Sequence, residues 1–319
     1  MADISRTDVL PPPVSTDIFA LSDSFYTLNK LVNIAASSAK IRKITVNLPD
    51  STPRINLRPQ IHLWIQAKKS SFKTAILHEA QKYYGGDYEY MFTYASLVGS
   101  TDSDTGRDTT SAAWNVRNSI LFIDEFTVAH KNDLPRALLS LLSDGEHSRI
   151  IKSKKFRRYL KDNDLFFRVK DGSIKIKTRF VAMFATMYSL EHYSRYTVYD
   201  ALMDRCIVIP YKVTDEMRRK VARGTPVFQY KPYDVKPEVI ISAEDYQYIY
   251  NFWDKNSPKF YANVDNYLDI RALDDMLRIF AVTQKHDDEL YLHVLEYASN
   301  IEQIKEKVKQ ERELRIAGK

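Results

Sequence analysis

The sequence predicts an α/β protein, a parallel sheet sandwiched by helices and followed by an α-helical C-terminal section. Three observations carry this expectation. Ile120-Leu121-Phe122-Ile123 is an unbroken apolar run ending on Asp124-Glu125, the pattern of a strand buried on both faces that delivers acids to its C-terminal end. Short apolar segments then alternate with helical patterns between residues 56 and 212, as in parallel strands joined by crossover helices. From residue 213 onward the strand patterns give way to helical ones.

Taken in order, residues 1–16, with Pro11-Pro12-Pro13, read as an extended arm. A helix is expected from about Asp17 to Ser38, because Phe19, Leu21, Phe25, Leu28, Leu31, Val32 and Ile34 recur at helical spacing. Ile41 to Leu48 alternates like a strand and ends in the Pro49-Asp50-Ser51 turn. Ile61 to Ile65 is a short strand. Lys73 to Tyr84 is a helix stopped by Gly85-Gly86. Tyr90 to Leu97 reads as a second core strand and Ile120 to Ile123 as a third. Asp133 to Leu142 is a helix closed by Asp144-Gly145. Leu165 to Val169 and Ser173 to Lys177 alternate around Asp171-Gly172, a hairpin signal. Phe180 to Ala185 is a buried strand, and Ile207 to Ile209 a last one before Pro210. Residues 213–238 look loop-like. Helices are expected over Ala243 to Asp254, Ile270 to Thr283 and Asp288 to Ala298, then a charged tail helix. This divides the chain into an N-terminal extension (1–55), an α/β core (56–212) with a basic hairpin insert at about 149–179, and a helical lid with a charged C-terminal helix (213–319).

Composition narrows the class. Hydrophobic residues at 44% and charged ones at 28% describe a globular chain rather than a disordered one. No apolar stretch approaches the ~20 residues that span a bilayer, and no signal peptide opens the sequence, so no membrane partner is expected. The single cysteine, Cys206, excludes a disulfide framework and a thiolate metal cluster, which fits a reduced, cytoplasmic setting. The net charge of +6 is unevenly spread. Arg149 to Arg179 holds 12 Lys or Arg against three Asp, a local excess of nine, which leaves the remainder at −3. A basic element on a slightly acidic body points to nucleic acid.

The acid pair has a partner upstream. Ala67-Lys68-Lys69-Ser70-Ser71-Phe72-Lys73-Thr74 lies between a strand and a helix, and Asp124 follows Lys73 by 51 residues. In a phosphate-binding loop, backbone N–H groups wrap the phosphates, a lysine reaches the outer oxygens and a Ser/Thr hydroxyl binds Mg²⁺. Lys73, Thr74, Ser71 and Phe72 are therefore candidate ATP-binding residues, with Asp124 and Thr74 as candidate Mg²⁺ ligands and Glu125 as the base that polarises water. This loop has no glycine: Ala67 and Phe72 stand where glycines are normally needed for positive φ. The bland alternatives are a basic loop before an ordinary helix and an acidic strand end in a solvated loop. Thr186, after the Phe180 strand, is a candidate contact to a γ-phosphate or nucleophilic water, or simply a satisfied hydroxyl. Arg205 precedes the last strand and is either an arginine finger for a neighbouring subunit or a surface residue. Lys152, Lys154, Lys155, Arg157, Arg158 and Lys161 surround Phe156 and Tyr159, as cations and stacking rings do in nucleic-acid contacts; a solvated hairpin is the alternative.

In this order the pieces resemble an AAA+ ATPase, of the branch with a hairpin before the sensor-1 strand, similar to the core of MCM replicative helicases. Ile120 to Phe126 resembles the Walker B strand, and Leu138 to Ile150 the helix leading into the hairpin. Thr186 falls at or next to sensor 1, where the family usually has asparagine. Ala201 to Val208 resembles the arginine-finger segment, with Arg205 as finger. Asp269-Ile270-Arg271-Ala272-Leu273-Asp274 resembles the lid helix, with Arg271 as sensor 2. The resemblance spans roughly residues 56 to 300 and implies a P-loop sheet, ATP and Mg²⁺ as ligands, a ring-like homo-oligomer, and DNA as partner. The Walker A glycines and the zinc-bearing amino-terminal domain of MCM proteins are missing. A stripped-down AAA+ protein in a prokaryotic, viral or mobile-element setting is thus expected. Two further expectations compete: a degenerate module that binds DNA or protein without hydrolysis, and an initiator or transcription regulator.

Overall fold

A computed structural model describes residues 24–49, 55–90, 93–101, 108–109, 111–127, 133–150, 167–170, 173–261 and 270–317. It opens with helix α1 (Ser24–Ser38), strand β1 (Lys43–Val46) and strand β2 (Ile55–Leu57). The core follows as β3 (His62–Gln66), α2 (Lys73–Tyr84), β4 (Asp87–Tyr90), α3 (Tyr94–Val98), the short β5 (Ser100–Thr101) and β6 (Asp108–Thr109), α4 (Ala112–Asn115) and β7 (Ile120–Asp124). Next come α5 (Asp133–Asp144), β8 (Glu146–Ile150), β9 (Phe167–Lys170), β10 (Ser173–Lys177), β11 (Val181–Thr186), α6 (Leu190–Ser194), α7 (Thr197–Met203) and β12 (Cys206–Pro210). The chain ends with α8 (Asp215–Ala222), β13 (Glu238–Ile241), α9 (Ala243–Phe260), α10 (Ile270–Thr283) and α11 (Asp288–Ala317).

The central sheet has five parallel strands in the order β12-β3-β11-β7-β4. Its apolar runs alternate between two cores. Leu63, Ile65, Ile120, Phe122, Val181, Met183, Ile207 and Ile209 face α1, α2, α9 and α10. Trp64, Leu121, Ile123, Ala182, Phe184 and Val208 face α3 to α7 and the far half of α11. Cover on both faces is why these strands are near-continuously hydrophobic. The chain leaves β3 toward β4 at one edge and leaves β11 toward β12 at the other, so the order reverses between the neighbours β3 and β11. The crevice at such a reversal, outside the carboxyl ends of the strands, is where open α/β sheets bind ligands.

Three smaller sheets complete the described fold, one of them the antiparallel pair β5 and β6. β1 pairs in parallel with β13 and antiparallel with β2, so residues before 55 and after 213 share one sheet. β10 pairs antiparallel with both β8 and β9, and Ser173 opposite Lys170 leaves the two-residue Asp171-Gly172 connection expected of a hairpin. No described helix is long and apolar enough to cross a membrane.

Three sequence expectations are corrected. The strand expected over Tyr90 to Leu97 ends at Tyr90, and Tyr94–Val98 is helical, because Thr93 and Ser96 close a capping box that outweighs the aromatic β-preference. The segment expected to be loop contains α8, started by Thr214, whose hydroxyl accepts from Met217 N, with acids in its first turn and cations in its last. The separate tail helix is continuous with the one before it in the 30-residue α11.

Candidate nucleotide site

The loop after β3 adopts the conformation that glycine normally supplies, without glycine. Ser70 has φ 61° and Phe72 φ 65°, both left-handed. Such a residue costs about 1–2 kcal/mol when it carries a Cβ. Phe72 gains in return, since its half-buried ring packs against the core that lines α1 and α2. Burial of a phenylalanine is worth up to ~3 kcal/mol, so a partly buried ring offsets most of the strain. The ring therefore packs toward the core. No side chain caps α2 at Phe72. The N–H groups of residues 69–75 find no acceptor of good geometry among the described residues. An uncapped helix start behind a left-handed turn is a concave set of donors suited to an anion.

Lys73 folds over this loop. Its Nζ donates to the carbonyls of Ala67 (2.8 Å) and Lys68 (2.9 Å) and to Ser71 Oγ (3.0 Å). Burial lowers its pKa from the usual lysine value, partly opposed by the charges of Asp124 and Glu125. At the end of β7, Asp124 is almost wholly buried, with 2% exposure. Its Oδ2 accepts from Thr74 Oγ1 at 2.7 Å and from Tyr88 OH at 2.8 Å, and its Oδ1 from Glu125 N at 2.9 Å. Glu125 is the third left-handed residue of the site, with φ 48°. Its Oε2 accepts from the exposed Tyr90 hydroxyl at 2.8 Å. Of the five non-glycine residues with positive φ among the described residues, three therefore lie here, the clustering expected of a functional site.

Ser71, Phe72, Lys73, Thr74, Asp124 and Glu125 are thus brought together, as the sequence predicts. Tyr88 and Tyr90 were not foreseen. They alternate along β4, the neighbour of β7, with Tyr90 in register with Asp124. Reading a strand three residues too late hid their role. Burial and the bond to Asp124 raise the pKa of Tyr88, while the bond to Glu125 raises that of Tyr90. Both remain donors to the carboxylates at neutral pH. Hydroxyl and carboxylate oxygens from Thr74 and Asp124 are the hard donors that Mg²⁺ takes, so these residues fit that ion.

Of its two readings, Thr186 takes that of the satisfied hydroxyl. Its side chain has no exposed surface and reaches no open site. Tyr193 OH donates to the Phe126 carbonyl, so the 2.6 Å contact between the two hydroxyls has Thr186 as donor; Thr186 Oγ1 in turn accepts from Tyr188 N at 3.2 Å. It ties the end of β11 to the backbone beside Glu125 and is a positioning residue. Arg271, the sensor-2 candidate, is not brought to Lys73 and Asp124 of its own chain. It pairs with Asp204 at 2.5 Å, just before β12, and so sits at the N-terminal edge of the sheet. Lys73 follows the opposite edge, about 16 Å away along a five-residue strand. Arg205 occupies the same N-terminal edge, exposed, with Nε donating to Ser143 Oγ at 2.9 Å and Nη1 to the Ala201 carbonyl at 3.3 Å. Lys152, Lys154, Lys155, Arg157, Arg158 and Lys161 lie outside the described residues.

Beside the loop, on its β12 side, a cleft of about 500 Å³ is lined by Lys68, Lys69 and Ser71, by Tyr211 and Lys212 after β12, and by Asn300 of α11. The Tyr211 hydroxyl and Asn300 Nδ2 are buried without a hydrogen-bond partner among the described residues. Orphaned polar atoms in a cleft of this size are what a polar ligand would satisfy. No protein-family model and no curated protein matches the chain.

Proposed function

We propose that this protein is an ATPase of AAA+ type that works on nucleic acid as a ring-like homo-oligomer. One observation carries the reading. Lys73, Thr74, Asp124 and Glu125 converge at the reversal point of a parallel sheet, on a loop held in left-handed conformation without glycine. Triphosphate oxygens would replace the loop carbonyls as partners of Lys73, and N–H groups at the uncapped start of α2 would cradle them. Thr74 and Asp124 would hold Mg²⁺, which when bound neutralises charge on the phosphates. Glu125, released from Tyr90, would accept the proton of the attacking water. The cleft beside Tyr211 and Asn300 has room for the base and ribose. Arg205 faces the wrong way to serve its own chain, so it would complete a neighbour's site, as an arginine finger does. The basic hairpin would engage DNA.

Steady-state ATP hydrolysis in Lys73→Ala and Glu125→Gln tests this; activity surviving in both variants sinks it. A second reading, a module that binds DNA or partner proteins without hydrolysis, is favoured by one observation: Lys73 and Asp124 already satisfy their hydrogen bonds within the chain. Absence of ATP binding at millimolar concentration would establish that reading. Forked-DNA strand displacement separates a helicase from an initiator or regulator that remodels DNA locally.

A further inference from the structure

β4 supplies the candidate metal site with a residue that the loop and β7 do not. Tyr88 lies opposite Phe122 in the parallel register, and Asp124, two residues further along β7, shares the face of Phe122. The Tyr88 hydroxyl reaches forward to that carboxylate. Its ring is held in two ways. It packs half-buried against the core beside α1 and α2, and His78 stacks on it with ring centroids 3.9 Å apart and planes at 11°. His78 stands on α2 one turn after Thr74, so a single helix positions both the Thr74 hydroxyl on Asp124 and the ring that steadies Tyr88.

The hydrogen bonds around Asp124 account for most of its lone pairs. A hydroxyl facing a carboxylate donates, and the carboxylate accepts at about four lone-pair sites, two on each oxygen. Oδ2 takes Thr74 Oγ1 at 2.7 Å and Tyr88 OH at 2.8 Å, which fills it. Oδ1 takes Glu125 N at 2.9 Å, which leaves one site. Asp124 therefore has a lone pair to offer on Oδ1, to a cation or to a water on it, and cannot present both oxygens at once. Mg²⁺ suits such a partner, because it keeps several waters and takes few carboxylate oxygens; Ca²⁺ takes roughly six to eight oxygens and often both of one carboxylate. We propose that Tyr88 is a positioning residue that selects magnesium over calcium, by occupying the Asp124 oxygen that a calcium ion would need. The proposal rests on the reading of this site as one for a nucleotide with Mg²⁺, and it gives β4 a selectivity that the loop and the two acids do not provide.

Calorimetric binding of a non-hydrolysable ATP analogue to the full chain, with magnesium chloride, with calcium chloride and with EDTA, tests it. The unaltered chain should bind the magnesium complex more tightly than the calcium complex. Tyr88→Phe keeps the ring and its stack but frees Oδ2. It should weaken the magnesium complex by about tenfold or more, shift the calcium complex by less, and leave binding in EDTA unchanged. His78→Ala should move the ratio between the two cations in the same direction, and His78→Phe, which can still stack on Tyr88, should restore it. An unaltered chain without a magnesium preference, or an unchanged ratio in Tyr88→Phe, would overturn the proposal and leave the functional reading standing. Equal loss with both cations, or loss in EDTA, would overturn it too, since Tyr88 would then serve packing alone. Absence of analogue binding by the unaltered chain under all three conditions would overturn the functional reading and this proposal with it.

Discussion

Phe72 offers the sharpest test of how a loop without glycine keeps a phosphate-binding shape. Replacement by glycine removes the left-handed penalty of about 1–2 kcal/mol but also loses the buried part of the ring, worth about 1 kcal/mol, and about 0.5–1 kcal/mol of unfolded-chain entropy. These terms nearly cancel. Phe72→Ala loses the ring and keeps the penalty at φ 65°, so it should destabilise by about 1 kcal/mol or slightly more. The expected order of stability is therefore wild type close to Phe72→Gly, with Phe72→Ala about 1 kcal/mol below both. Urea unfolding with global fitting of the midpoints measures it. ATP titration of the same variants should show Phe72→Gly binding at least as well as wild type, since the ring faces the core. Equal stability of the alanine and glycine variants would refute the left-handed anchor. A large gain in ATP affinity on ring removal would instead place the ring in phosphate space.

Thr74→Val removes the hydroxyl bonded to Asp124 and should abolish Mg²⁺-dependent hydrolysis by about 100-fold or more, whereas Thr74→Ser should retain most of it; metal titrations of the rate decide. His62 is fully buried, its pKa lowered by burial and then by Arg58 and Arg278, and its Nδ1 accepts from Ala182 N at 3.1 Å. The unfolded chain then binds a proton that the folded chain excludes, so stability should fall as pH drops below the ordinary value of 6.5, by up to about 1.4 kcal/mol per pH unit. His293 shifts in the same direction and Asp200 in the opposite one, so the diagnostic is the difference between wild type and His62→Gln, measured by urea midpoints from pH 7 to 5, and an identical slope would refute it. Arg205→Ala mixed with Glu125→Gln should recover part of the ATPase rate that each lacks alone, because only a mixed interface pairs an intact arginine with an intact base; an unrecovered rate argues against sharing between subunits.

The sheet was legible in the sequence because a strand covered on both faces must be apolar along its whole length, as Ile120 to Ile123 and Phe180 to Ala185 are. The helix Lys73–Tyr84 was legible to the residue, its end marked by Gly85-Gly86. Lys73, Thr74, Asp124 and Glu125 followed from spacing. What spacing does not encode is where an element starts when local capping competes with β-preference. Thr93 and Ser96 shifted the strand back to Asp87–Tyr90, and only then do Tyr88 and Tyr90 alternate toward the two acids. Spacing left Thr186 open between a ligand contact and a satisfied hydroxyl, because the partner that decides it, Tyr193, arrives seven residues later from α6. The missing glycines concealed the loop's shape, because propensity assigns left-handed backbone to glycine and has no term for a ring such as Phe72 that repays the strain by packing.

The two edges of the sheet divide the chemistry. Parallel strands place every carboxyl end on one side, so Lys73, Thr74, Asp124 and Glu125 share that side with the uncapped start of α2. The other side receives Arg205 and Arg271. Asp204 holds Arg271 and also Lys305 of α11, and Lys305 bonds Glu302 at 2.7 Å, so the long helix braces the segment that presents Arg205. A strand of five residues is about 16 Å long, and a side chain cannot span it from one edge to the other. Arg205 therefore cannot reach Asp124 or Glu125 of its own chain. On the proposed reading that separation is what makes the site depend on assembly: the acidic edge of one copy needs the basic edge of another, and an isolated copy holds a base without a finger.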